Sequence, residues 1–239
     1  MSELKLGIMQ PYFFPYAGYF SLIDYSDKFV FFDTSQYIKK GWVNRNRILN
    51  PRGGTLYITV PVTKCPRDTK INCISISKDQ DWKKKFFGQI SGYKKKAPYY
   101  KDTVDFLHTI LDNRESNLLS ELNIESTIAV CQRLGIHSQY FTFSKMDLKI
   151  ETVRAPDEWA LNIAKAMGGN IYVNPPGGQS FFEKRKYDEA GIELKFLQSN
   201  FKRYIQRTGN FDQGLSIIDV MMFCNNDEII DIIKDYKLI

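Results

Sequence analysis

The sequence predicts an α/β protein whose Rossmann-like parallel sheet is flanked by helices. Its first part contains a buried strand at 4–9, a helix at 16–25 and a second strand at 28–32, which together make one parallel βαβ unit. The same rhythm returns in the last third, where a strand at 170–173, a loop and a helix precede a strand at 192–197. The chain has 239 residues, 43% of them hydrophobic, which is enough to bury a full core.

The middle of the chain, residues 79–135, is predicted to be mainly helical. We expect a single α/β domain over residues 1–239, with this segment as a helical insertion or subdomain. Ala97-Pro98 should break the first helix of the segment, and Gly135 should end the last one.

Two further strands are predicted between the βαβ unit and this insertion. Residues 56–62 alternate between the two faces of a strand, and residues 73–76 form a short apolar run. A Gly-Gly pair before them is typical of a hairpin, so these strands either extend the sheet or form a small flap. Two helices, at 215–223 and 225–235, are predicted near the end of the chain.

The composition limits the function classes. The formal net charge of +6 is mildly basic and fits an enzyme for anionic substrates, or a protein that contacts nucleic acid or anionic lipid. Two His and four scattered Cys without a CxxC pair argue against a metal site and indicate reduced thiols. Neither a signal peptide nor an apolar run of transmembrane length is recognised, so we expect a cytoplasmic protein.

The turn after the first strand is the first candidate site, because parallel sheets bind ligands at the carboxyl ends of their strands. Pro15-Tyr16-Ala17-Gly18-Tyr19 resembles the HxGH loop of the nucleotidyltransferase and pantothenate-synthetase group, with Tyr in both His places. In that group the loop packs on the ATP phosphates, whereas a neutral Tyr can only hydrogen-bond or stack. The alternative is a tight turn with aromatic core residues. We assign the reacting centre to Gln10, Tyr12, Tyr16 and Tyr19, with Pro11 and Gly18 contacting the ligand.

The second candidate stretch, residues 34–48, is polar, aromatic and basic at once. It follows the second strand and is predicted to be a loop that lines the ligand crevice. Its cations suit phosphate, its amides suit neutral polar groups, and its aromatic rings suit a base or sugar. A solvated basic loop anchored by Trp42 is the alternative. The predicted binding residues are Gln36, Tyr37, Lys40, Trp42, Asn44, Arg45 and Arg47.

The last third adds two smaller candidates. A loop with Asn174, Gly177 and Gly178 precedes a helix predicted at 180–190, an arrangement that either holds an anion on backbone N–H groups or is a rigid turn. Ser216 and Asp219 lie on one side of the helix at 215–223 and either close the ligand site or belong to a core helix with capping polar groups.

Three stretches of this sequence, 7–20, 36–48 and 215–219, are together similar to the WbqC-like proteins, and the resemblance covers essentially the whole chain. Members of that family occur with genes for bacterial surface polysaccharides, especially O-antigens that carry unusual amino sugars. The resemblance therefore implies a role in O-antigen or lipopolysaccharide biosynthesis.

The first functional hypothesis is a transferase or ligase that forms an amide on the amino group of a nucleotide-linked amino sugar. The acyl or amino-acid donor would be activated by ATP with Mg or supplied as a thioester. Lys40, Arg45 and Arg47 would hold phosphates, and Asp33 or Asp219 would accept the proton of the amine.

Two alternatives stay open. One is a nucleotidyltransferase acting on a sugar or sugar phosphate, although the missing His pair argues against it. The other is a non-catalytic nucleotide-sugar-binding or scaffold protein, for which the Lys runs at 83–85 and 94–96 would matter. No nucleic-acid partner is expected, because the charge is modest and no recognised module is present.

Overall fold

The structure is a computed structural model that describes residues 3–79, 81–112, 114–206 and 210–239. Most of its strands form one six-stranded sheet, and two form a separate hairpin. The strands are β1 (Lys5–Met9), β2 (Lys28–Phe31), β3 (Arg45–Leu49), β4 (Thr55–Thr59), β5 (Gln139–Thr142), β6 (Ile171–Asn174), β7 (Glu193–Ser199) and β8 (Tyr236–Leu238). The main sheet has the order β5-β2-β1-β6-β7-β8, and β3 pairs with β4.

Helices cover both faces of the main sheet. They are α1 (Ala17–Tyr25), α2 (Trp82–Ile90), α3 (Tyr100–Asp112), α4 (Leu119–Leu134), α5 (Glu158–Ala166), α6 (Lys184–Glu189), α7 (Ile217–Phe223) and α8 (Asn226–Lys234). Sequence signals fix several ends: α4 stops at Gly135, whose φ is 69°, and an Asn225–Glu228 capping box starts α8. None of the described helices is long and apolar enough to span a bilayer.

The sheet has the topology of a doubly wound fold. Strands β1, β2, β5, β6 and β7 run parallel, while β8 is antiparallel to β7. Counted along the chain, the parallel strands have the spatial order 3-2-1-4-5. Since α1 covers one face and α5 the other, the winding reverses between β1 and β6. The predicted α/β fold with a mostly parallel sheet is confirmed.

Strand β1 separates two apolar cores. Its Leu6 and Ile8 side chains belong to the core under α5 and α6, while the opposite face contacts the larger core that contains α1. Gly7 lies on that second face, where a Cβ would come within 2.9 Å of the Phe29 ring and also collide with Ser26. The first strand therefore packs closely against the carboxyl end of α1 and against β2.

Three local predictions are wrong, and one strand was not predicted. Residues 45–49 form strand β3 instead of a loop, and β8 was not expected. The 73–76 segment makes two isolated bridges and is preceded by a 3-10 turn at Ile71–Cys73, so it is not a strand. The helix predicted at 180–190 is reduced to α6, which is preceded by a 3-10 segment at Pro176–Phe181. In the predicted insertion, α2 to α4 do form, and their buried side chains share the core of α1.

Candidate functional site

Two cavities open at the carboxyl edge of the sheet, at the point where the winding reverses between β1 and β6. One has a volume of about 650 Å³ and lies on the α5 side of the sheet. The other has about 390 Å³ and lies against the start of α1. Met9 and Tyr12 line both cavities. A ligand that spans the switch point, where doubly wound folds bind their ligands, would therefore contact Tyr12.

The larger cavity, called here the neutral cavity, is lined by uncharged side chains. Exposed faces of Trp159 and Phe181 form part of its wall. The Gln10 amide donates to the Ser35 hydroxyl at 2.9 Å, and the Thr34 hydroxyl oxygen is buried without a partner among the described residues. Its lining also includes Ile8, Phe32, Gln36, Ala160, Ile163, Tyr172, Asn174, Gly178 and Phe182. Such a surface suits an uncharged ligand with several polar groups.

The smaller cavity, called here the arginine cavity, contains Arg47, the one charged side chain among its described lining residues. The guanidinium makes a long 3.5 Å bond to the Gln213 carbonyl and lies 5.9 Å from the ring centre of Trp42. Its Nε is buried and has no partner among the described residues. A guanidinium with unused donors in a cavity is suited to bind a phosphate or carboxylate.

Aromatic side chains form the remaining wall of the arginine cavity. The rings of Tyr16 and Phe201 stack with their centres 6.0 Å apart. Burial raises the pKa of the Tyr12 hydroxyl, with a further contribution from Tyr16, and burial also raises the pKa of Tyr16 itself. Both hydroxyls therefore stay protonated at neutral pH and act as hydrogen-bonding groups rather than as bases.

The turn between β1 and α1, residues 10–15, is fixed by side chains from distant parts of the chain. Asn46 of β3 donates from Nδ2 to the carbonyls of Phe13 (3.1 Å) and Phe14 (2.8 Å). The Ser216 hydroxyl, at the start of α7, donates to the same Phe14 carbonyl at 2.7 Å. Phe14 is held at a φ of 39°, a left-handed conformation that is rare for an aromatic residue. Such a conformation persists only where the surrounding structure imposes it.

Two further carbonyls of the turn are also bound. The Tyr19 hydroxyl donates to the Gln10 carbonyl at 2.8 Å. Asn123, completely buried on α4, donates to the carbonyls of Pro11 (2.9 Å) and Val43 (2.7 Å). The turn that separates the two cavities is thus preorganised before any ligand arrives.

The model of the WbqC-like protein family matches residues 10–231, a range that contains the fixed turn and the lining residues of both cavities apart from Ile8 and Met9. The chain belongs to the WbqC-like protein family. It is also 28% identical over 218 residues to the uncharacterized protein Rv1507c of Mycobacterium tuberculosis, covering 91% of this chain and 92% of that protein. No solved structure matches the chain. The resemblance predicted from the three stretches is confirmed.

In this WbqC-like protein, the cavities bring together nine of the residues predicted to form the site. Gln10, Tyr12, Gln36, Asn174 and Gly178 line the neutral cavity, and Tyr12, Tyr16, Trp42, Arg47 and Gly177 line the arginine cavity. The Gly-rich loop contributes through its 3-10 segment, because α6 begins beyond it. The expected helix N-terminus at this loop is therefore not formed.

Tyr19 and Gly18 lie beneath the site rather than in it. Tyr19 is completely buried, and its hydroxyl is bound to the turn, so it cannot line the reacting centre. A Cβ on Gly18 would collide with the Tyr16 ring and lie 3.1 Å from the Cβ of Ser199. The space that we predicted for a flat ligand is therefore filled by Tyr16.

Asp33 is bound to a neighbouring element. Its carboxylate is buried and accepts hydrogen bonds from the backbone N–H (2.9 Å) and the hydroxyl of Ser144. Ser144 belongs to the 3-10 turn Phe143–Lys145 after β5. Asp33 thus joins the ends of two neighbouring strands and lines neither cavity.

Asp219 is the centre of a buried hydrogen-bond network away from both cavities. It accepts from the hydroxyls of Tyr93 and Tyr204, the latter at 2.6 Å, and from the Gln206 amide at 3.4 Å. Burial raises the pKa of Asp219 to about 6, although the bonds from the two Tyr side chains act in the opposite direction. The network fixes the segment around Tyr204 to the core.

The remaining predicted binding residues take structural positions. Arg45 stacks on Tyr57, with 4.1 Å from Cζ to the ring centre, and Asn44 donates to the Val60 carbonyl at 3.0 Å. Lys40 is exposed at a φ of 60°. In addition to these, Pro11, Tyr37 and Ser216 are buried and line neither cavity.

Several side chains that matter here were not predicted. Trp159, Phe181 and Phe201 come from segments far apart in the chain, so no local pattern marks them as cavity walls. Asn123 supports the turn from α4. Asn46, one of the amides of the candidate stretch 34–48, also supports the turn and lines the arginine cavity. Asn123 offered one signal, since it is an amide on the buried side of an apolar helix and must find partners. Among the described residues, no group of three or more His, Cys, Asp or Glu is placed to hold a metal ion.

Proposed function

We propose that this WbqC-like protein is an enzyme of bacterial surface-polysaccharide biosynthesis that forms an amide on the amino group of a nucleotide-linked amino sugar. The observation that carries the proposal is the pair of cavities on either side of Tyr12, one neutral and one containing Arg47. A nucleotide-linked amino sugar combines a polar ring, whose amine is uncharged when it attacks, with a diphosphate, so it needs both surfaces. Family membership supports the polysaccharide context.

The proposed reaction depends mainly on positioning. The amine nitrogen attacks the acyl carbonyl, the new C–N bond forms, and the bond between the carbonyl carbon and the thiolate or adenylate leaving group breaks. The proton lost by the amine leaves with that group or with water. Neutral hydrogen-bond donors such as the Tyr12 hydroxyl, which stays protonated, would stabilise the oxygen that becomes negative during attack. The donor is either a thioester or an amino acid activated with ATP.

The test is to incubate the purified protein with uridine- or thymidine-diphosphate amino sugars, offering acyl thioesters or glycine with ATP as donors. We expect a product whose mass is that of the N-acylated or N-aminoacylated sugar nucleotide. Pyrophosphate release from a nucleoside triphosphate and a sugar phosphate, without amide, would replace the proposal by nucleotidyl transfer. Tight binding of the sugar nucleotide without turnover of any donor would indicate a binding protein.

A pair of variants ties the activity to the proposed site. Gln10→Ala removes a neutral-cavity amide and should lower kcat/KM about tenfold, which corresponds to the loss of roughly one hydrogen bond to the substrate. Gln132→Ala changes an exposed Gln of α4 outside both cavities and should leave turnover unchanged. Equal activities for the two variants would place the reaction elsewhere.

A further inference from the structure

We infer that the two cavities divide one substrate by charge: the arginine cavity takes the diphosphate of the sugar nucleotide, and the neutral cavity takes the amino sugar together with the acyl group. This assignment rests on the proposed function and names where each part of the substrate binds. The two cavities meet at Met9 and Tyr12, so the bond between sugar and phosphate would pass these side chains.

We assign the diphosphate to Arg47 because its guanidinium has N–H donors that the described residues do not use. Its one protein hydrogen bond among the described residues is 3.5 Å long, and its Nε is buried without a partner. A planar guanidinium binds two phosphate oxygens at once and gains most where water is partly excluded. The adjacent Trp42 is 42% exposed and offers a face on which a base can stack.

Two residues beside Arg47 in the wall of the arginine cavity, Gly214 and Phe201, have a positive φ. Gly214 has a φ of 67°, and a Cβ placed there would lie 3.9 Å from Nη2 of Arg47 and 3.4 Å from the ring of Phe201. Phe201 itself has a φ of 53°, which is strained for an aromatic residue. Strain of this kind at a cavity wall is typical of ligand-binding positions.

The neutral cavity excludes the diphosphate, because its described lining has no cation to offset the loss of phosphate hydration. It offers instead the amides of Gln10 and Asn174 for sugar hydroxyls, and the faces of Trp159 and Phe181 for the apolar side of a sugar ring. Its volume of about 650 Å³ exceeds that of a single hexose ring, which leaves room for an acyl group beside the amine.

The experiment is a calorimetric titration with two fragments of the substrate: uridine or thymidine diphosphate, and the nucleotide-free methyl glycoside of the amino sugar. Arg47→Gln should weaken diphosphate binding roughly 10- to 100-fold, the range expected for hydrogen bonds to a charged group, and leave glycoside binding unchanged. Arg47→Lys keeps the positive charge but lacks the planar guanidinium that binds two phosphate oxygens at once, so it should lose less diphosphate affinity than Arg47→Gln. Gln10→Ala should weaken glycoside binding and spare the diphosphate.

Arg45→Gln is the matched control. Arg45 lies two residues away on the same strand, also projects away from the core and stacks on Tyr57, yet it lines neither cavity. We expect this variant to bind both fragments like the wild-type protein, and we expect the two fragments to bind simultaneously. Competition between the fragments, or equal losses in the Arg45 and Arg47 variants, would overturn the division by charge.

The outcome is separable from that of the proposed function. Fragment binding that follows the predicted pattern, with no amide formed from any donor, would retain the charge division and reject the reaction. Amide formation at a rate and with a KM that Arg47→Gln does not change would retain the reaction and reject the division.

Discussion

Asn46→Ala should loosen the turn that separates the two cavities. The change removes the two Nδ2 hydrogen bonds to the carbonyls of Phe13 and Phe14, and the hydrogen bond that Oδ1 accepts from the Arg47 backbone N–H at 2.8 Å. Phe14 keeps the Ser216 hydroxyl, whereas the Phe13 carbonyl loses its donor. Three net hydrogen bonds of about 1 kcal/mol each, with an added cost of about 1 kcal/mol for the unsatisfied buried carbonyl, lower the free energy of unfolding by roughly 4 kcal/mol.

Asn44→Ala provides the control for this loss. Asn44 is the same residue type, is similarly buried two residues earlier, and donates one hydrogen bond, to the Val60 carbonyl at 3.0 Å. Its replacement takes the donor from the carbonyl of the buried Val60, so it should cost about 2 kcal/mol, and it should leave the turn intact. The difference of about 2 kcal/mol corresponds to a Tm lower by roughly 4–8 °C for Asn46→Ala in a protein of this size.

Urea denaturation at constant m value measures both losses, and a thermal shift with the sugar nucleotide measures the consequence for binding. Relaxation of Phe14 from its φ of 39°, together with the loss of the Asn46 side chain from the wall of the arginine cavity, should reduce ligand stabilisation in Asn46→Ala but not in Asn44→Ala. If the two variants lose equal stability and retain equal ligand shifts, the turn does not depend on Asn46 and the reasoning is refuted.

Two further changes test the buried carboxylates. The pKa of Asp219, raised by burial to about 6, exceeds the value of about 3.9 expected for an unfolded Asp, so the wild-type protein should lose up to roughly 3 kcal/mol of stability from this group as pH rises from 4 to 7. Asp219→Asn removes this titrating carboxyl group. The difference in stability between the wild-type protein and the variant, measured from urea midpoints, should therefore change between pH 4 and pH 7. A difference that stays constant over this range would contradict the raised pKa of Asp219. Asp33→Asn should weaken the hydrogen bonds from Ser144 and lower the free energy of unfolding, measured with urea, by about 1–3 kcal/mol. The affinity for the sugar nucleotide should not change. A changed affinity would mean that Asp33 contributes to the binding site.

The sheet could largely be predicted from sequence because its strands are buried on both faces. Strands of that kind are continuous apolar runs, as in β1, β2 and β6, and the Gly residues between elements mark their ends. β3 was missed for the opposite reason. Arg45 and Arg47 project away from the core while the amide of Asn46 points inward to serve the turn, so both faces of the strand are polar and the alternation is hidden.

The edge of the sheet at which the two candidate cavities lie could be predicted from topology, but the residues that line them could not. Tyr16 and Tyr19 lie three residues apart and occupy equivalent places in the HxGH resemblance, yet one lines a cavity and the other is buried beneath the turn. The packing of α1 against the sheet decides which of the two tyrosines faces the cavity and which is buried. The same holds for Arg45 and Arg47, whose different surroundings depend on Tyr57 and on the segment around Gln213.

The polarity of the cavities makes a final prediction about the proposed reaction. No Asp, Glu or His occurs among the described residues that line either cavity. The group that must lose a proton before attack is then the ammonium of the substrate, so kcat/KM should rise with pH and level off at the pKa of that amine. A less basic amine, such as an alkoxyamine analogue of the sugar, should shift the inflection to lower pH by the difference between the two amine pKa values.

Tyr12→Phe distinguishes deprotonation of the substrate ammonium in solution from deprotonation by a side chain of the protein. Its hydroxyl stays protonated because burial raises its pKa, so its removal should lower the rate without moving the inflection. An inflection that ignores the basicity of the substrate, or one that moves in Tyr12→Phe, would mean that the protein supplies the base. The neutral lining would then not be the surface on which the amide forms.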